Sequence, residues 1–193
     1  MTTLGVIGLG RIGAFHTDTL SGLAGIDGLV VTDERPEVVA AVAAKHGAKP
    51  VDSVHALLAS GVDGVVVSAA TPAHAELTLA AVERGLPTFC EKPIAATAAE
   101  SARAAQVIAR SGVPVQVGYQ RRFDAAFTAA KRAVDDGSLG PLHTVRSTTM
   151  DPAMYSIGGG AGSIVVLRTV CRGPSEPSSA ARFAAVNAAS KRR

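Results

Sequence analysis

The stretch that most constrains the fold lies at residues 4–13, where a short apolar run breaks into the pattern G-x-G-x-x-G. In this pattern Gly8 permits the tight turn out of a strand, and Gly10 lets the backbone approach a pyrophosphate. Gly13 lets the following helix pack closely against its strand. Because the unpaired amides and the dipole of a helix N-terminus favour negative charge, the stretch predicts a strand, a phosphate-binding turn and a helix.

The sequence around these glycines supports a dinucleotide site. A helical stretch follows from Arg11 to Ala24, and a second apolar run, Gly28 to Thr32, ends at Asp33. Asp33 lies 20 residues after Gly13, where an acid can bind both ribose hydroxyls of an adenosine. Glycine triplets also occur by chance, so a strand–turn–helix without a ligand is the alternative; the context favours the dinucleotide.

Composition excludes several classes of protein. The 193 residues are 47% hydrophobic, enough for a full core and too apolar for a disordered chain. The formal net charge is +3, but the basic residues are scattered without an aromatic stripe, so we expect no nucleic-acid surface. Lys191 to Arg193 is interpreted as a solvated tail. No apolar run has the length that a bilayer span requires, so we expect no membrane partner.

The cysteines and the N-terminus predict a cytoplasmic protein. Cys90 and Cys171 lie far apart without metal-type spacing, which excludes a disulfide scaffold and predicts no metal site. The chain enters a strand almost at once, so we expect no signal peptide.

Strand and helix patterns alternate along the next part of the chain. Predicted helices are 36–46, 53–58, 71–84 and 97–110, and predicted strands are 48–51, 63–69, 87–90 and 113–119. This alternation predicts an α/β fold with a doubly wound parallel sheet of the Rossmann type. Ligands bind at the carboxyl ends of the strands in such sheets. Polar residues follow several of those ends and should converge on one rim: Asp33, Thr71, His74, Glu91, Lys92 and Gln120.

Two of these residues, Lys92 and His74, each allow two interpretations of their role. Lys92 follows a strand directly, and Pro93 fixes the local backbone. Partial burial there would favour the neutral amine and make Lys92 a proton donor or hydrogen-bond partner for a reacting hydroxyl or carbonyl. Alternatively, Lys92 pairs with Glu91 or another surface acid. A lone histidine such as His74 is more often a satisfied residue at a helix N-terminus than a catalyst.

Four motifs in order resemble the glucose–fructose oxidoreductase and inositol dehydrogenase (Gfo/Idh/MocA) family. They are residues 5–13, Thr71-Pro72-Ala73-His74-Ala75-Glu76, Cys90-Glu91-Lys92-Pro93 and Gly118-Tyr119-Gln120-Arg121-Arg122-Phe123-Asp124. The resemblance covers about residues 4–152, and Glu-Lys-Pro is its most specific part. The Gln-Arg-Arg-Phe-Asp form, followed by residues 140–146, most resembles the inositol 2-dehydrogenase branch.

The resemblance implies NAD(P)-linked oxidation of a secondary alcohol on a sugar or cyclitol. Lys92 matches the family lysine that contacts the substrate hydroxyl and aids proton transfer, and is the expected catalytic residue. Tyr119 and Arg122 match positions that face the substrate. The expected cofactor-binding residues are Gly8, Leu9, Gly10, Arg11, Ile12, Gly13, Asp33, Arg35, Thr71, Pro72, His74, Glu91 and Gln120.

NAD is the expected cofactor because Asp33 should repel a 2′-phosphate, although Arg35 keeps NADP possible. The expected partner is a small polyol or sugar. Full-length family members pair through the sheet of their second domain, and the oligomeric state of this chain stays open.

The second domain departs from the family pattern. We expect a Rossmann domain over 1–118, only the start of a second α+β domain over 119–153, and an irregular, aberrant tail over 154–193. The family carries an aspartate and a histidine that complete the catalytic constellation, whereas this chain has no aspartate after Asp151 and no histidine after His143. A frameshift or early stop near residue 154 would explain this. The strand expected at 142–150 would then lose its sheet partners, and reading the genome onward should recover an Asp- and His-containing frame.

Three functions therefore stay open. The chain is a family dehydrogenase impaired by the loss of that pair, a non-catalytic dinucleotide-binding module, or a Rossmann domain without a ligand. Cofactor binding separates the third from the others, and turnover of a polyol separates the first two.

Overall fold

A computed structural model describes residues 1–142, 144, 146–147 and 167–168. Its first compact unit runs from Met1 to Tyr119 and its second begins at Gln120; the sequence placed this boundary after residue 118. The strands of the first unit are β1 (Thr3–Ile7), β2 (Gly28–Thr32), β3 (Lys49–Pro50), β4 (Gly64–Val67), β5 (Thr88–Cys90) and β6 (Val115–Val117). Its helices are α1 (Arg11–Ser21), α2 (Pro36–His46), α3 (Val54–Leu58), α4 (His74–Glu83), which follows a 3-10 turn at Thr71–Ala73, and α5 (Ala98–Ser111).

The six strands form one parallel sheet in the order β3-β2-β1-β4-β5-β6. This is the Rossmann order, and it confirms the predicted fold class. From β1 the sheet extends in one direction through β2 and β3 and in the opposite direction through β4, β5 and β6, so the strand order reverses between β1 and β4. A crevice opens outside the strand ends at such a reversal, and this is where ligands bind in sheets of this kind.

Both faces of the sheet are buried, because β-branched residues alternate between two cores. On one face Val6, Val31 and Val66 pack in a cluster with residues of α2 such as Val39. On the other face Ile7, Val65 and Val67 pack in a cluster with Leu57 of α3 and Ala81 of α4. A sheet covered on both sides exposes only its edges and strand ends, so ligand chemistry is confined to those ends.

Glycine, proline and a capping side chain set several of the helix and strand boundaries. Helix α1 stops at Ser21 with Gly22 as its C-cap, three residues short of the predicted Ala24. Strand β6 begins at Val115, two residues later than predicted, because Pro114 has no amide to add to the ladder; the Pro114 carbonyl accepts from the Thr88 amide at 3.0 Å. The predicted capping by Ser53 is confirmed, since its side chain accepts from the Ala56 amide at 3.1 Å.

The second unit begins with a 3-10 turn at Gln120–Phe123 and continues with α6 (Ala125–Asp135). The Asp124 carboxylate caps α6 by accepting from the Ala126 amide at 3.0 Å and the Phe127 amide at 3.3 Å. Two short strands, β7 (Arg146–Ser147) and β8 (Leu167–Arg168), then pair antiparallel.

The pairing of β7 corrects one prediction. The strand expected at 142–150 was to lack sheet partners, yet at Arg146–Ser147 the chain supplies its own partner from Leu167–Arg168. Those two partner residues fall in the tail that was predicted to be irregular. The rest of that tail, and most of the predicted strand, lie outside the described residues.

Candidate active site

The glycine-rich turn after β1 is held in one close-packed conformation. Gly8 has a φ of +87°, and a Cβ on it would lie 2.5 Å from backbone atoms of Ala69. A Cβ on Gly13 would lie 1.8 Å from the Gly8 carbonyl oxygen. That same oxygen accepts a hydrogen bond from the Ser68 hydroxyl at 2.8 Å. The turn therefore packs against α1 on one side and against the end of β4 on the other.

The N-terminus of α1 is open to an anion. Its cap residue, Gly10, supplies no side-chain hydrogen bond, and the first turn contains no acidic residue. A Cβ on Gly10 would meet no atom within 4 Å, so the backbone faces free space. First-turn amides lack intrahelical acceptors and the helix dipole is positive there. This end fits a pyrophosphate in the way that the sequence pattern predicts.

Asp33, just after β2, forms the next part of the rim. One carboxylate oxygen accepts from the Leu9 amide at 2.6 Å, and the other accepts from the amide and Nε of Arg35 at 3.0 and 2.9 Å. Burial by itself would raise the pKa of Asp33, but the hydrogen bonds from the Arg35 side chain and from the two amides outweigh it and hold the pKa below its usual value. Asp33 is thus an oriented carboxylate.

Arg35 lies on the outer side of Asp33. Its guanidinium pairs with the Asp33 carboxylate, while 54% of its side chain stays exposed. The sequence left open whether Arg35 would receive a 2′-phosphate. In this arrangement its Nε and Nη2 are both directed at Asp33, at 2.9 and 3.3 Å.

The segment after β5 carries Glu91 and Lys92. One Glu91 oxygen lies 2.9 Å from Nε2 of His16, and the other accepts from the Lys92 backbone amide at 3.1 Å. Lys92 is exposed, so the partial burial on which its role as a proton donor was argued is not found. Glu91 takes the more buried position at this strand end, with its carboxylate beside His16 and 19% of its side chain exposed. The alternative in which the Lys92 ammonium pairs with an acid is not found among the described residues.

His74 begins α4 and is 2% exposed. Its Nδ1 lies 2.6 Å from the Pro93 carbonyl oxygen and its Nε2 lies 2.9 Å from that of Ala69. Both ring nitrogens thus face backbone carbonyls. His74 fits the simpler of the two interpretations, a satisfied residue at a helix N-terminus, and it connects the segment after β4 to the segment after β5.

A single cleft outside β1, β2, β4 and β5 brings most of the predicted site residues together. Its lining residues are Gly8, Gly10, Arg11, Ile12, Asp33, Glu34, Arg35, Ser68, Ala69, Ala70, Thr71, His74, Glu91 and Lys92. Three predicted residues support the cleft from outside its lining: Leu9 is buried and donates to Asp33, Gly13 packs on Gly8, and Pro72 lies in the 3-10 turn.

The remaining predicted residues lie at the end of the first unit or beyond it. Tyr119 is the last residue of that unit and is half exposed. Gln120 and Arg122 lie in the first turn of the second unit. Their roles toward cofactor and substrate stay predictions.

Sequence reasoning missed two supporting side chains, Ser68 and His16. Ser68 directly follows the buried strand β4, and its position just after a strand end was the available signal. His16 lies one helical turn after Ile12 on α1, but its partner Glu91 is 75 residues away. Only the strand order brings β5 close to that helix, so no local pattern indicates this contact.

Two classes of site are not found within the described part of the chain. It holds no group of three or more His, Cys, Asp or Glu side chains placed to bind a metal ion. None of its helices has the length and apolar character of a membrane span.

The chain is similar to inositol dehydrogenases in sequence. It is 44% identical over 142 residues to inositol 2-dehydrogenase 1 of Saccharopolyspora erythraea, covering 71% of this chain and 42% of that protein. It is 34% identical over 151 residues to the inositol 2-dehydrogenase of Rhizobium meliloti, covering 77% of this chain and 45% of that protein. The chain thus spans less than half the length of these curated relatives.

The chain is also similar in structure to solved inositol dehydrogenases. A putative myo-inositol dehydrogenase from Sinorhizobium meliloti superposes with a TM-score of 0.67 at 31% identity, covering 80% of this chain and 48% of that one. Scyllo-inositol dehydrogenase from Lactobacillus casei, solved with NAD(H) and scyllo-inositol, superposes with a TM-score of 0.71 at 25% identity, covering 80% of this chain and 46% of that one.

The family model described as an oxidoreductase family with an NAD-binding Rossmann fold matches residues 2–119, the whole first unit except Met1. The match includes the glycine turn, Asp33 and Lys92, which the structure places around one cleft. The resemblance that the four motifs indicated is confirmed: the chain belongs to the Gfo/Idh/MocA family of NAD-binding oxidoreductases.

Proposed function

We propose that this chain binds NAD in the cleft outside β1, β2, β4 and β5. The observation that carries the proposal is the convergence of an uncapped helix N-terminus, an oriented carboxylate and an exposed lysine on one cleft. The amides at the start of α1 would hold the pyrophosphate, and Asp33 would accept hydrogen bonds from the adenosine ribose. The open space at Gly10 leaves room for the phosphates.

The same geometry supports NAD over NADP. Asp33 carries a full negative charge near neutral pH, since an aspartate pKa already lies well below neutrality and its hydrogen bonds lower it further. A 2′-phosphate would stand against that charge. Arg35 already donates from Nε and Nη2 to the Asp33 carboxylate, so its positive charge is partly compensated before a 2′-phosphate could approach.

For catalysis, we propose oxidation of a secondary alcohol of a cyclitol or sugar, as in the inositol dehydrogenases that the chain resembles. NAD, when bound, supplies the hydride acceptor. Lys92 is the candidate catalytic residue: it lines the cleft, is exposed to it, and its ammonium has no acid partner among the described residues. Its amine would hydrogen-bond the substrate hydroxyl and take part in moving the hydroxyl proton.

Glu91 and His74 have supporting roles in this proposal. The Glu91 carboxylate already binds His16 and the Lys92 amide, so we assign it a positioning role and not that of a second base. His74 has both ring nitrogens against carbonyls and therefore acts on the shape of the cleft. Neither residue therefore offers Lys92 a free second group for proton transfer.

That lack favours a second candidate function, a dinucleotide-binding module without turnover. Such a module would bind NAD with the same residues and leave polyols unchanged. Turnover is therefore the property that separates the two functions.

The test incubates the purified full chain with NAD and myo-inositol or scyllo-inositol and follows NADH by its fluorescence. Weak turnover that Lys92→Met abolishes and Lys49→Met retains would support the dehydrogenase; Lys49 is an exposed lysine on β3, outside the cleft. Saturable NAD binding without any NADH would support the module. Absence of NAD binding would contradict both functions.

A further inference from the structure

His16 is fixed on the face of α1 that points toward β5. Its ring packs edge-on against Phe89, with centroids 5.3 Å apart and planes at 68°. Phe15 approaches it similarly, at 6.0 Å and 63°. The His16 side chain is 21% exposed. Two aromatic contacts hold the ring in one orientation, with Nε2 directed at the strand end.

The acceptor of that nitrogen is the Glu91 carboxylate, which has little freedom of its own. Oε1 lies 2.9 Å from His16 Nε2, and Oε2 accepts from the Lys92 amide at 3.1 Å. Gly118 closes another side: a Cβ there would lie 3.4 Å from Glu91 Oε1 and 2.9 Å from Cζ of Phe89. Glu91 is therefore a bridge between a helix side chain and the backbone of Lys92.

The two ends of this bridge have different proposed roles. Helix α1 begins at the glycine turn, where the cofactor phosphates would bind, and its second turn carries His16. The other end is the amide of Lys92, the candidate catalytic residue. A rigid helix followed by two hydrogen bonds therefore joins the phosphate site to the lysine backbone.

We propose that His16 is a positioning residue that couples occupation of the phosphate site to the placement of Lys92. The proposal rests on the proposed function, since it requires NAD at the start of α1. His16 would act only through Glu91, because it is absent from the cleft lining while both Glu91 and Lys92 are part of it. Phosphates bound at the start of α1 would fix the position of that helix and, through His16 and Glu91, hold the Lys92 amide more firmly.

The experiment measures hydrogen exchange of the Lys92 backbone amide by NMR on the full chain, with and without saturating NAD. The Val66 amide in the sheet is followed in the same samples, and the Lys92 rate is compared between variants under conditions where the unfolding midpoints show that each remains folded. His16→Phe keeps an aromatic ring beside Phe89 but removes the hydrogen bond. His16→Gln restores an N–H donor. The matched control is His55→Phe, at an exposed histidine on α3 outside the cleft.

Without NAD, we expect His16→Phe to raise the exchange rate of Lys92 about tenfold, because a hydrogen bond to a charged group is lost. His16→Gln should recover most of the protection, and His55→Phe should match the unmodified chain. NAD should slow Lys92 exchange in the unmodified chain and in His16→Gln, but not in His16→Phe. A purely structural histidine would move the unfolding midpoint without changing this response to NAD.

An unchanged Lys92 exchange rate in His16→Phe would overturn the proposal, even with NAD binding intact. An equal response to NAD in the unmodified chain and His16→Phe would overturn the coupling. If the unmodified chain binds no NAD, the proposed function fails and the coupling fails with it. The Lys92 exchange rates measured without NAD would still show whether His16 stabilises the Lys92 backbone amide.

Discussion

Gly10 and Gly13 should differ in how well they tolerate an added methyl group, and single alanine substitutions test this difference. We expect Gly13→Ala to destabilise the protein by about 2 kcal/mol or more, since its Cβ would overlap the Gly8 carbonyl oxygen at 1.8 Å and backbone cannot move aside cheaply. Urea unfolding measures the change.

Gly10→Ala is the matched variant. A Cβ there meets nothing within 4 Å, so we expect a loss of only about 0.5–1 kcal/mol, the size of a helix-cap change from glycine to alanine. The same methyl group would extend toward the phosphates and weaken NAD binding. Equal stability losses in the two variants would contradict this packing of the turn.

The environment of Asp33 leads us to expect that the stability of the folded chain depends on pH. Its pKa is lowered in the folded chain: burial opposes the shift, but the hydrogen bonds from Arg35 and the Leu9 amide dominate. Stabilisation from a lowered carboxylate pKa is fully present above the unfolded value of about 3.9 and disappears as the pH falls through the folded value.

We therefore expect Asp33→Asn to lower the free energy of unfolding near neutrality and to match the unmodified chain once the pH falls well below about 4. Urea titrations at both pH values measure the difference, with Asp52→Asn as an exposed control. A stability difference that stays constant with pH would show that charge is not the cause.

The residues that sequence reasoning could place are those whose partners are local or whose position follows from the fold class. Asp33 is such a residue, because spacing after the glycines and a strand end fix its place. The exposure of Lys92 could not be decided from the sequence, since it depends on Glu91 taking the more buried position. That position depends in turn on His16, 75 residues away, and no single-sequence pattern carries such a contact.

At the scale of elements, α5 offers a clean test of helix capping. The Thr97 side chain accepts from the Glu100 amide at 3.2 Å, and Glu100 Oε2 accepts from the Thr97 amide at 3.1 Å, which forms a reciprocal capping box. We expect Thr97→Ala to cost about 1 kcal/mol and Thr97→Ser to cost much less. Chemical unfolding measures both, and equal costs would show that the hydroxyl does not stabilise the helix.

The end of a helix or strand could be predicted where a single residue, such as a glycine, terminates it. Gly47 ends α2 with a φ of +64°, as its position in the sequence predicted. The end of α1 was placed three residues late, because Gly22 stops the helix before the apolar spacing of the sequence fades. Strand pairing between β7 and β8 was not predicted, because two-residue strands leave no periodic signal.

At the scale of the whole molecule, the cleft belongs to the first unit. Its lining residues lie between Gly8 and Lys92, inside the unit that ends at Tyr119. We expect a chain shortened to residues 1–119 to bind NAD with the affinity of the full chain, within about twofold. Calorimetry of both chains measures this, and a large loss on shortening would place part of the cofactor site in the second unit.

The most direct measurement is NAD binding to the full chain by titration calorimetry, with Asp33→Ala and Asp52→Ala in parallel. We expect saturable binding by the unmodified chain and by Asp52→Ala. Asp33→Ala should bind at least about tenfold more weakly, because hydrogen bonds from the ribose to a charged group are lost. Binding unaffected by Asp33→Ala, or no binding of NAD at all, would contradict a dinucleotide site in this cleft.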